Sequence, residues 1–481
     1  MKHLAWLAAL ALASACAINP VTGRPELVLV SGARERALGA EQETGLLAEL
    51  GRSDHAATSE WVEAVGQRVA AHSPRQDVPY TFQIVEMDEP NAFALPGGYI
   101  YLTRGILPFL DDEAQLAGVL GHEIGHVTAR HAAQQYTKAT TAGIGVTLLS
   151  IFVPEARPFQ NITETALGVL FLKHGRDDEL QADRLGVQYT AKTGWNPAGV
   201  AGMLTTLARL DDASGSRKGV PNWLSTHPAP ADRVQKVHAA IQQAAAMPVG
   251  TAGRTVDRAE FLNRIDGIVF GDSPSEGVVR GNAFLHRDLR LALTFPQGWE
   301  IQNTKTQVLA KAPERDNFML LQLVQNPQGS LEQVARAGMA NAGFRQLDGG
   351  GAEINGLDAY VGTYQGAVEG LGNVVTVAAH IVHGRNVYVL AGLASANQFK
   401  GAERQFASSI RSFRSLSESE AANIRPNRVE VYTVRNGDTW QSIASRAGEG
   451  TIRPATLAIM NNSDPARQPR PGDRIKIVVA G

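Results

Sequence analysis

Cysteine is almost absent from this sequence, because the 481 residues contain only one, Cys16. A disulfide within the chain is therefore excluded, since it needs two thiols. An excess of charge of one sign is also missing: 45 lysines and arginines stand against 47 aspartates and glutamates. The formal net charge of −2 gives no support for nucleic-acid binding, which usually depends on a basic surface.

Long hydrophobic runs are missing too. A helix that spans a bilayer needs about 20 apolar residues. Residues 142–153 are apolar but only about half that length, and polar residues interrupt the segment 162–172. We interpret both segments as buried helices or as segments beside a cleft. With 44% hydrophobic and 19% charged residues, the chain has the composition of a folded protein, and its length predicts about three domains.

A helical apolar pattern leads into the sequence His122-Glu123-Ile124-Gly125-His126. Residues four apart share one face of a helix, so His122 and His126 can reach the same zinc ion. Glu123 lies offset around the helix, where a carboxylate can act as a general base towards water. The motif predicts a zinc hydrolase. The alternative is a polar helix face that carries two solvated or core histidines.

Two acidic residues offer a third ligand. Glu179 and Asp183 are four residues apart in a segment of helical periodicity, so their carboxylates share a face. One carboxylate can bind the metal while the other orients a ligating histidine. Acidic residues near a helix N-terminus are also favoured by the helix dipole alone. Spacing leaves these two interpretations open.

Residues 91–98 combine a strand-like segment with a Pro-Gly-Gly sequence that predicts a turn. A plain hairpin is one interpretation. The functional interpretation is an edge strand beside the metal helix, in which Asn91, Ala92, Phe93 and Ala94 pair with an extended substrate peptide.

The N-terminus is typical of a targeting segment, with a short basic start, an apolar stretch and Ala-Ser-Ala before Cys16. It resembles a bacterial lipoprotein signal, with residues 1–15 removed and Cys16 lipidated, although Ala13 stands where a leucine is usual. Ala13 and Ala15 also fit ordinary signal peptidase, so plain secretion and an incidental cysteine are alternatives. By resemblance to Gram-negative lipoproteins, Ala17 implies the outer membrane, facing the periplasm.

Four segments together resemble the family of zinc endopeptidases that includes the HtpX-like and BepA-like bacterial quality-control proteases and the CAAX prenyl proteases. They are, in family order, residues 91–98, 121–131, 178–186 and 225–228, followed by Arg233. The resemblance implies one Zn²⁺ per chain. The implied roles are those of zinc ligands for His122, His126 and Glu179, of catalytic base for Glu123, and of support behind the ligands for Asp183.

Two further histidines lie in these segments. The resemblance implies that His227 can approach the metal as a regulatory fourth ligand, and a turn-capping role before Pro228 is the alternative. His131 matches a family position outside the metal set, and we interpret it as structural. The lack of predicted membrane spans favours the periplasmic branch of the family.

Beyond the peptidase-like region, taken as residues 16–270, a linker at 271–280 precedes an α+β pattern at 281–416. Part of that pattern resembles small PsbP-like domains. After a second linker at 417–430, residues 431–481 resemble a LysM module. Such βααβ modules bind N-acetylglucosamine-containing glycan, here peptidoglycan, and a protein-contact module is the alternative.

The predicted architecture is multidomain: a mainly α zincin-type metalloprotease domain with a small β edge, an α+β domain and a LysM-like module. The predicted function is a zinc-dependent endopeptidase that cleaves unfolded or misassembled envelope proteins. A peptidoglycan-tethered, chaperone-like binding protein is the alternative, but such a protein has no need of Glu123. A peptidoglycan hydrolase is suggested only by the LysM-like end, and the predicted edge strand favours protein substrates instead.

Overall fold

The computed structural model describes residues 16–141, 174–214, 227, 232–244 and 258–481, apart from 305, 314, 369, 370, 449 and 450. The predicted signal segment 1–15 and the two apolar segments 142–153 and 162–172 lie outside the described residues. Among the residues that are described, no helix is both long and apolar enough to cross a membrane.

The chain divides into two compact units. Unit 1 joins residues 1–271 with residues 428–480, and unit 2 contains residues 272–427. A multidomain protein of helices and sheets is therefore confirmed, while the finer division at 270, 281, 416 and 431 stays a prediction.

Helices dominate unit 1. They are α1 (Gly32–Leu50), α2 (Ala56–Ala70), α3 (Glu113–Thr128), α4 (His131–Thr141), α5 (Arg176–Lys192), α6 (Ala198–Ser214), α7 (Arg233–Ala244) and α8 (Arg258–Ile265). The strands before α3 are β1 (Cys16–Ile18), β2 (Pro25–Leu27), β3 (Thr81–Val85), β4 (Ala92–Leu95) and β5 (Tyr99–Thr103), and a 3₁₀ helix (Arg104–Phe109) follows β5.

The helix α3 carries the His-Glu-x-x-His motif through the core of unit 1. It begins after Asp112, whose carboxylate accepts a hydrogen bond from the Gln115 backbone N–H at 2.8 Å and so caps the helix. Every residue from Glu113 to Thr128 is buried. The polar side chains of the motif therefore face other protein groups rather than bulk solvent.

A three-stranded sheet lies against α3. Its central strand, β5, pairs in parallel with β3 and antiparallel with β4. The strand β4 is consequently an edge strand of this sheet, and it packs on α3.

The helices α3 and α5 approach each other closely through small residues. A Cβ atom added to Gly186 would lie 3.0 Å from the His122 backbone nitrogen, and one added to Gly125 would lie 2.9 Å from the Ala182 carbonyl oxygen. Only residues without a side chain at these positions permit this spacing. The close approach brings the carboxylates of α5 to the histidines of α3.

Residues 428–480, here named the C-terminal module, complete unit 1. The module contains β17 (Arg428–Thr433), α12 (Trp440–Arg446), α13 (Pro454–Met460) and β18 (Arg474–Val479), and the two strands pair antiparallel. Phe109 of the 3₁₀ helix belongs to the apolar core of the module. The Val429 backbone exchanges hydrogen bonds with Gly267 and Ile268 at 2.7 and 2.9 Å. The module therefore shares its core and its backbone pairing with the rest of unit 1.

Unit 2 contains two antiparallel sheets. The seven-stranded sheet has the order β12-β13-β14-β15-β11-β10-β9, and the four-stranded sheet has the order β16-β8-β7-β6. The strands are β6 (Val278–Arg280), β7 (Ala283–His286), β8 (Leu291–Thr294), β9 (Glu300–Asn303), β10 (Gln307–Lys311), β11 (Phe318–Leu323), β12 (Arg345–Ile354), β13 (Leu357–Val368), β14 (Gly372–His383), β15 (Asn386–Ser395) and β16 (Arg414–Ser415). The helices are α9 (Leu331–Asn341), α10 (Phe399–Ser412) and α11 (Glu418–Ala422). Residues 417–430, predicted as a linker, thus contain α11 and the start of β17.

Candidate metal centre

Four potential metal-binding side chains converge in the core of unit 1. The helix α3 supplies His122 and His126, α5 supplies Glu179, and His227 comes from the chain before α7. All four are buried, and one ligand atom from each lies within 4.8 Å of the others. The site is therefore assembled from three parts of the chain that are far apart in sequence.

The distances among these ligand atoms fit a single small cation. His122 Nε2 lies 3.0 Å from His126 Nε2 and 3.2 Å from His227 Nδ1. Glu179 Oε1 lies 3.0 Å from His227 Nδ1 and 3.4 Å from His126 Nε2. Zinc bonds of about 2.0–2.1 Å in a tetrahedron require ligand atoms roughly 3.3 Å apart. The three imidazoles and one carboxylate therefore fit zinc, and His227 completes a four-ligand set.

Glu123 points its carboxylate at the same centre without being part of this set. It is buried, and its Oε1 atom has no hydrogen-bond partner among the described residues. His227 Nε2 lies 3.6 Å from Oε1. Burial raises the pKa of Glu123 above its ordinary value, although His227 and His122 counteract it. A buried carboxylate oxygen that accepts no hydrogen bond and lies beside a metal site is placed to exchange protons with a bound water molecule.

A buried arginine connects the acidic residues of α5. Arg233 donates two hydrogen bonds to Asp183, from Nε at 2.7 Å and from Nη2 at 2.9 Å, and its Nη1 lies 2.8 Å from Glu179 Oε2. Asp183 Oδ1 in turn lies 2.9 Å from His122 Nδ1. Burial alone would raise the pKa of Asp183, but the Arg233 and His122 hydrogen bonds outweigh burial and lower it. Asp183 therefore stays a carboxylate that can accept the His122 N–H and orient its ring.

Burial also sets the protonation of the second histidine on α3. It lowers the pKa of His126 well below the ordinary value, and the nearby His174 acts in the same direction. The neutral imidazole, which metal binding requires, is thus the favoured form.

Residues 56–241 match the protein-family model described as Peptidase family M48. This span includes all four converging side chains and Glu123. The chain carries an M48 peptidase domain. Residues 432–478 match the LysM domain model, so the C-terminal module contains a LysM domain. Both matches confirm the resemblances drawn from the sequence.

Curated relatives are similar to part of this chain. The beta-barrel assembly-enhancing protease of Escherichia coli is 32% identical over 185 residues, which are 37% of this chain and 37% of the relative. The mitochondrial metalloendopeptidase OMA1 of Schizosaccharomyces pombe is 29% identical over 190 residues, which are 39% of this chain and 54% of the relative. The chain thus spans well under two thirds of the length of the relatives that it matches.

Among solved structures, the cyanobacterial PsbP protein of Synechocystis is 12% identical and covers 29% of this chain and 95% of its own. The TM-score of 0.24 is too low to assign a fold.

The predicted edge strand lies beside the M48 motif helix. Ala92, Phe93 and Ala94 belong to β4, and Asn91 precedes it with its backbone N–H donating to Thr103 Oγ1 at 2.8 Å. The structure thus places Ala92, Phe93 and Ala94 on an edge strand that packs against α3, with Asn91 directly before it.

Cys16, the predicted lipidation site, lies in β1, which pairs with β2.

The structure adds a histidine to the M48 site that the sequence analysis missed. The ring of His174 lies 3.9 Å from the ring of His126, centroid to centroid, and Gln135 Nε2 lies 3.1 Å from its Nδ1. His126, His131 and His174 form a second group of potential metal ligands. No motif marks His174 in the sequence, and its only signal is its position just before the acidic segment of α5.

Proposed function

We propose that this protein is a zinc-dependent endopeptidase that cleaves unfolded or misassembled proteins of the cell envelope. The observation that carries the proposal is the convergence of His122, His126 and Glu179 at ligand spacing. The buried Glu123 carboxylate lies beside them, and its Oε1 atom accepts no hydrogen bond from the described residues. The M48 family of the domain supports peptide hydrolysis as the reaction.

The chemistry divides between the metal and the protein. Zinc, when bound, activates water and polarises the scissile carbonyl. Glu123 takes a proton from the attacking water and passes it to the leaving amine. Its raised pKa, caused by burial, lowers the cost of the protonated intermediate state of this carboxyl.

His227 gives the site a closed form. Burial alone would lower the pKa of His227, but the Glu179 and Glu123 carboxylates outweigh burial and raise it. The same carboxylates hold its ring within reach of the metal position. We infer that His227 is a fourth ligand at rest and that it must leave before water and substrate can bind, so that it regulates the enzyme.

The edge strand β4 supports unfolded proteins as the substrate class. An edge strand offers backbone groups to an extended peptide, and an unfolded protein presents extended segments that a folded one does not. Asn91, Ala92, Phe93 and Ala94 form this binding edge in the proposal. The name of the Escherichia coli relative, a beta-barrel assembly-enhancing protease, supports envelope proteins as substrates.

The same proposal includes a location. A lipoprotein-type signal at residues 1–15 with lipidated Cys16 would anchor the chain to the outer membrane, facing the periplasm. The LysM domain would contact peptidoglycan there. Mass spectrometry of the mature protein tests the lipid, and sedimentation with purified peptidoglycan tests the glycan contact.

The decisive test compares casein degradation by the wild-type chain and by Glu123→Gln, with zinc content measured in both. We expect Glu123→Gln to lose cleavage by at least about 100-fold while it keeps its zinc, because the general base contributes that much. The exposed Glu60→Gln on α2 is a matched control and should cleave normally. Wild-type rates in Glu123→Gln would contradict the proposed base.

The closed four-ligand arrangement also favours a second candidate, a peptidoglycan-tethered binding protein whose peptidase site stays shut. His227→Ala separates the two candidates. Cleavage that rises in this variant supports a gated enzyme. A variant that holds zinc but cleaves nothing, while the chain still binds unfolded protein, supports the binding role.

A further inference from the structure

The two histidines of α3 differ in what holds their outer ring nitrogens. The Nδ1 atom of His122 faces the Asp183 carboxylate, which Arg233 fixes. The Nδ1 atom of His126 has no carboxylate and lies instead 2.9 Å from the Nδ1 atom of His131. His131 Nε2 lies 3.0 Å from Gln181 Oε1. The His126–His131–Gln181 chain of hydrogen bonds thus runs from the metal position to α5.

The chemistry of the three groups fixes the direction of every proton in this chain. The Gln181 Oε1 atom can only accept, so His131 donates through Nε2. A neutral His131 that carries its proton on Nε2 has a free lone pair on Nδ1, so His126 donates through its own Nδ1. The remaining lone pair of His126, on Nε2, then faces His122 and Glu179 at ligand spacing. This is the tautomer that a metal ligand bound through Nε2 must have.

The local backbone is shaped to make this contact. Arg130, between α3 and α4, has a φ of 61°, a left-handed conformation that a non-glycine residue adopts only at a cost. Its Nε atom lies 3.2 Å from Glu35 Oε2, an ion pair that holds the conformation. His131 follows directly, with only 1% of its surface exposed and its Nδ1 atom against His126 of the preceding helix. A histidine that merely filled space would need no such backbone conformation.

We propose that His131 is a positioning residue that sets the tautomer and orientation of His126, and thereby the affinity of the site for zinc. It replaces, on this side of the metal, the role that Asp183 has towards His122. His131 is then not a ligand of a second metal, since its Nδ1 lone pair is already used by the His126 N–H. The structural interpretation of His131 is the alternative to this role.

The test compares His131→Leu with His131→Asn, two substitutions of nearly equal size. The asparagine oxygen can accept the His126 N–H near the position of the lost Nδ1, and leucine cannot. Zinc affinity is measured by competition with a chelator, and the absorption spectrum of the Co²⁺-substituted protein reports the ligand geometry. We expect His131→Leu to weaken zinc binding roughly 10- to 100-fold and His131→Asn to recover most of it. Equal affinities for the two variants would overturn the proposal.

A second pair of variants, at Gln181, provides the test if substitutions at His131 prevent folding. Gln181 lies on α5 and is only partly buried. Gln181→Leu removes the acceptor of the His131 proton, whereas Gln181→Glu retains an acceptor. We expect weaker zinc binding in the leucine variant alone, with thermal unfolding of both metal-free variants unchanged. A loss of stability in the metal-free protein with unchanged zinc affinity would assign His131 and Gln181 a structural role instead.

This inference rests on the proposed zinc site but not on proteolysis. A wild-type chain that binds zinc and cleaves no protein would contradict the proposed function, while the affinity comparison would still decide the role of His131. A wild-type chain that binds no zinc would overturn both.

Discussion

Lys476 holds an amino group in the interior of unit 1. Its side chain is fully buried on β18, and its Nζ donates a hydrogen bond to the Leu110 carbonyl oxygen at 2.6 Å. Asp111 Oδ1 lies 3.7 Å away, and Arg258 and Asp112 also act on its charge. Burial lowers the pKa of Lys476 from 10.5 to about 8, and Asp111 only partly opposes it. The LysM domain is thus linked to the residues just before α3 through a lysine that is costly to keep charged.

This lysine predicts a stability that rises with pH. Between pH about 8 and 10.5 the unfolded chain keeps the Lys476 proton that the folded chain has lost, so the free energy of unfolding increases with pH in that window. The full gain is about 3 kcal/mol, because each pKa unit is worth about 1.4 kcal/mol. Lys476→Met should lack this increase.

Denaturant unfolding of the wild type and Lys476→Met across this window provides the measurement. The difference between the two proteins cancels the titration of all other groups. A difference that does not change with pH would show that Lys476 keeps an ordinary pKa in the folded protein.

The motif residues were accessible to sequence analysis because one helix turn fixes their geometry. His122, Glu123 and His126 follow directly from helical spacing. Glu179 and His227 do not, since spacing alone left Glu179 open between ligand and helix-dipole roles, and only the folded chain brings either residue to α3. His174 approaches His126 through tertiary structure alone, so no local pattern marks it.

At the scale of elements, the contact between α3 and α5 depends on glycine. We predict that Gly186→Ala pushes α5 away from the His122 backbone, because the added Cβ would lie 3.0 Å from its nitrogen. Such overpacking costs roughly 1–3 kcal/mol of stability. It should also weaken zinc binding, since Glu179 and Asp183 move with α5. Thermal unfolding and chelator competition measure the two effects.

A glycine in open space is the matched control. Gly401 lies in α10, and an added Cβ would meet no atom within 4 Å. Gly401→Ala should leave zinc binding unchanged and should raise stability by up to about 1 kcal/mol, because alanine favours helix. If Gly186→Ala behaved like this control, the close helix contact would not matter for the site.

Elements with strong apolar periodicity and helix caps were predictable, and glycine-rich ones were not. The helices α3 and α5 have such patterns. The strand β12 has none, because Gly349 to Gly351 provide no side chains from which an alternating pattern can be recognised. The strand forms because its backbone pairs with β13 in register, which is a tertiary effect.

At the scale of the whole molecule, unit 1 is discontinuous in sequence. The chain leaves it after Gly271 and returns at Arg428, and a β-bridge joins Val269 to Arg428. The exit and the return are therefore neighbours. The sequence showed the LysM motif but not this arrangement, because packing of the module on Phe109 and Leu210 depends on the folded partner.

Two deletions should therefore have different effects on the stability of unit 1. Replacement of residues 273–426 by a short Gly-Ser linker should leave unit 1 folded and able to bind zinc, because the two chain ends already lie side by side. Removal of residues 428–481 should lower the melting temperature of the M48 domain, since it exposes Phe109, Leu210 and Phe270. A fully buried side chain such as Phe109 contributes about 1.5–3 kcal/mol, and the partly buried Leu210 and Phe270 contribute less.

Circular dichroism melting and zinc content distinguish the two deletions. If the chain without residues 428–481 melts like the full protein, the module is a separate appendage and not part of the core.

Because unit 1 is discontinuous in sequence, its two parts are synthesised at different times. A ribosome makes the segment with His122 and Glu179 long before it makes Val429 and Lys476. Until residues 428–480 are made, the surface that they cover stays open to water, and the residues before α3 lack their contact with Lys476. The fold of unit 1 is therefore completed only after this segment has joined it, although the metal-binding side chains are synthesised much earlier.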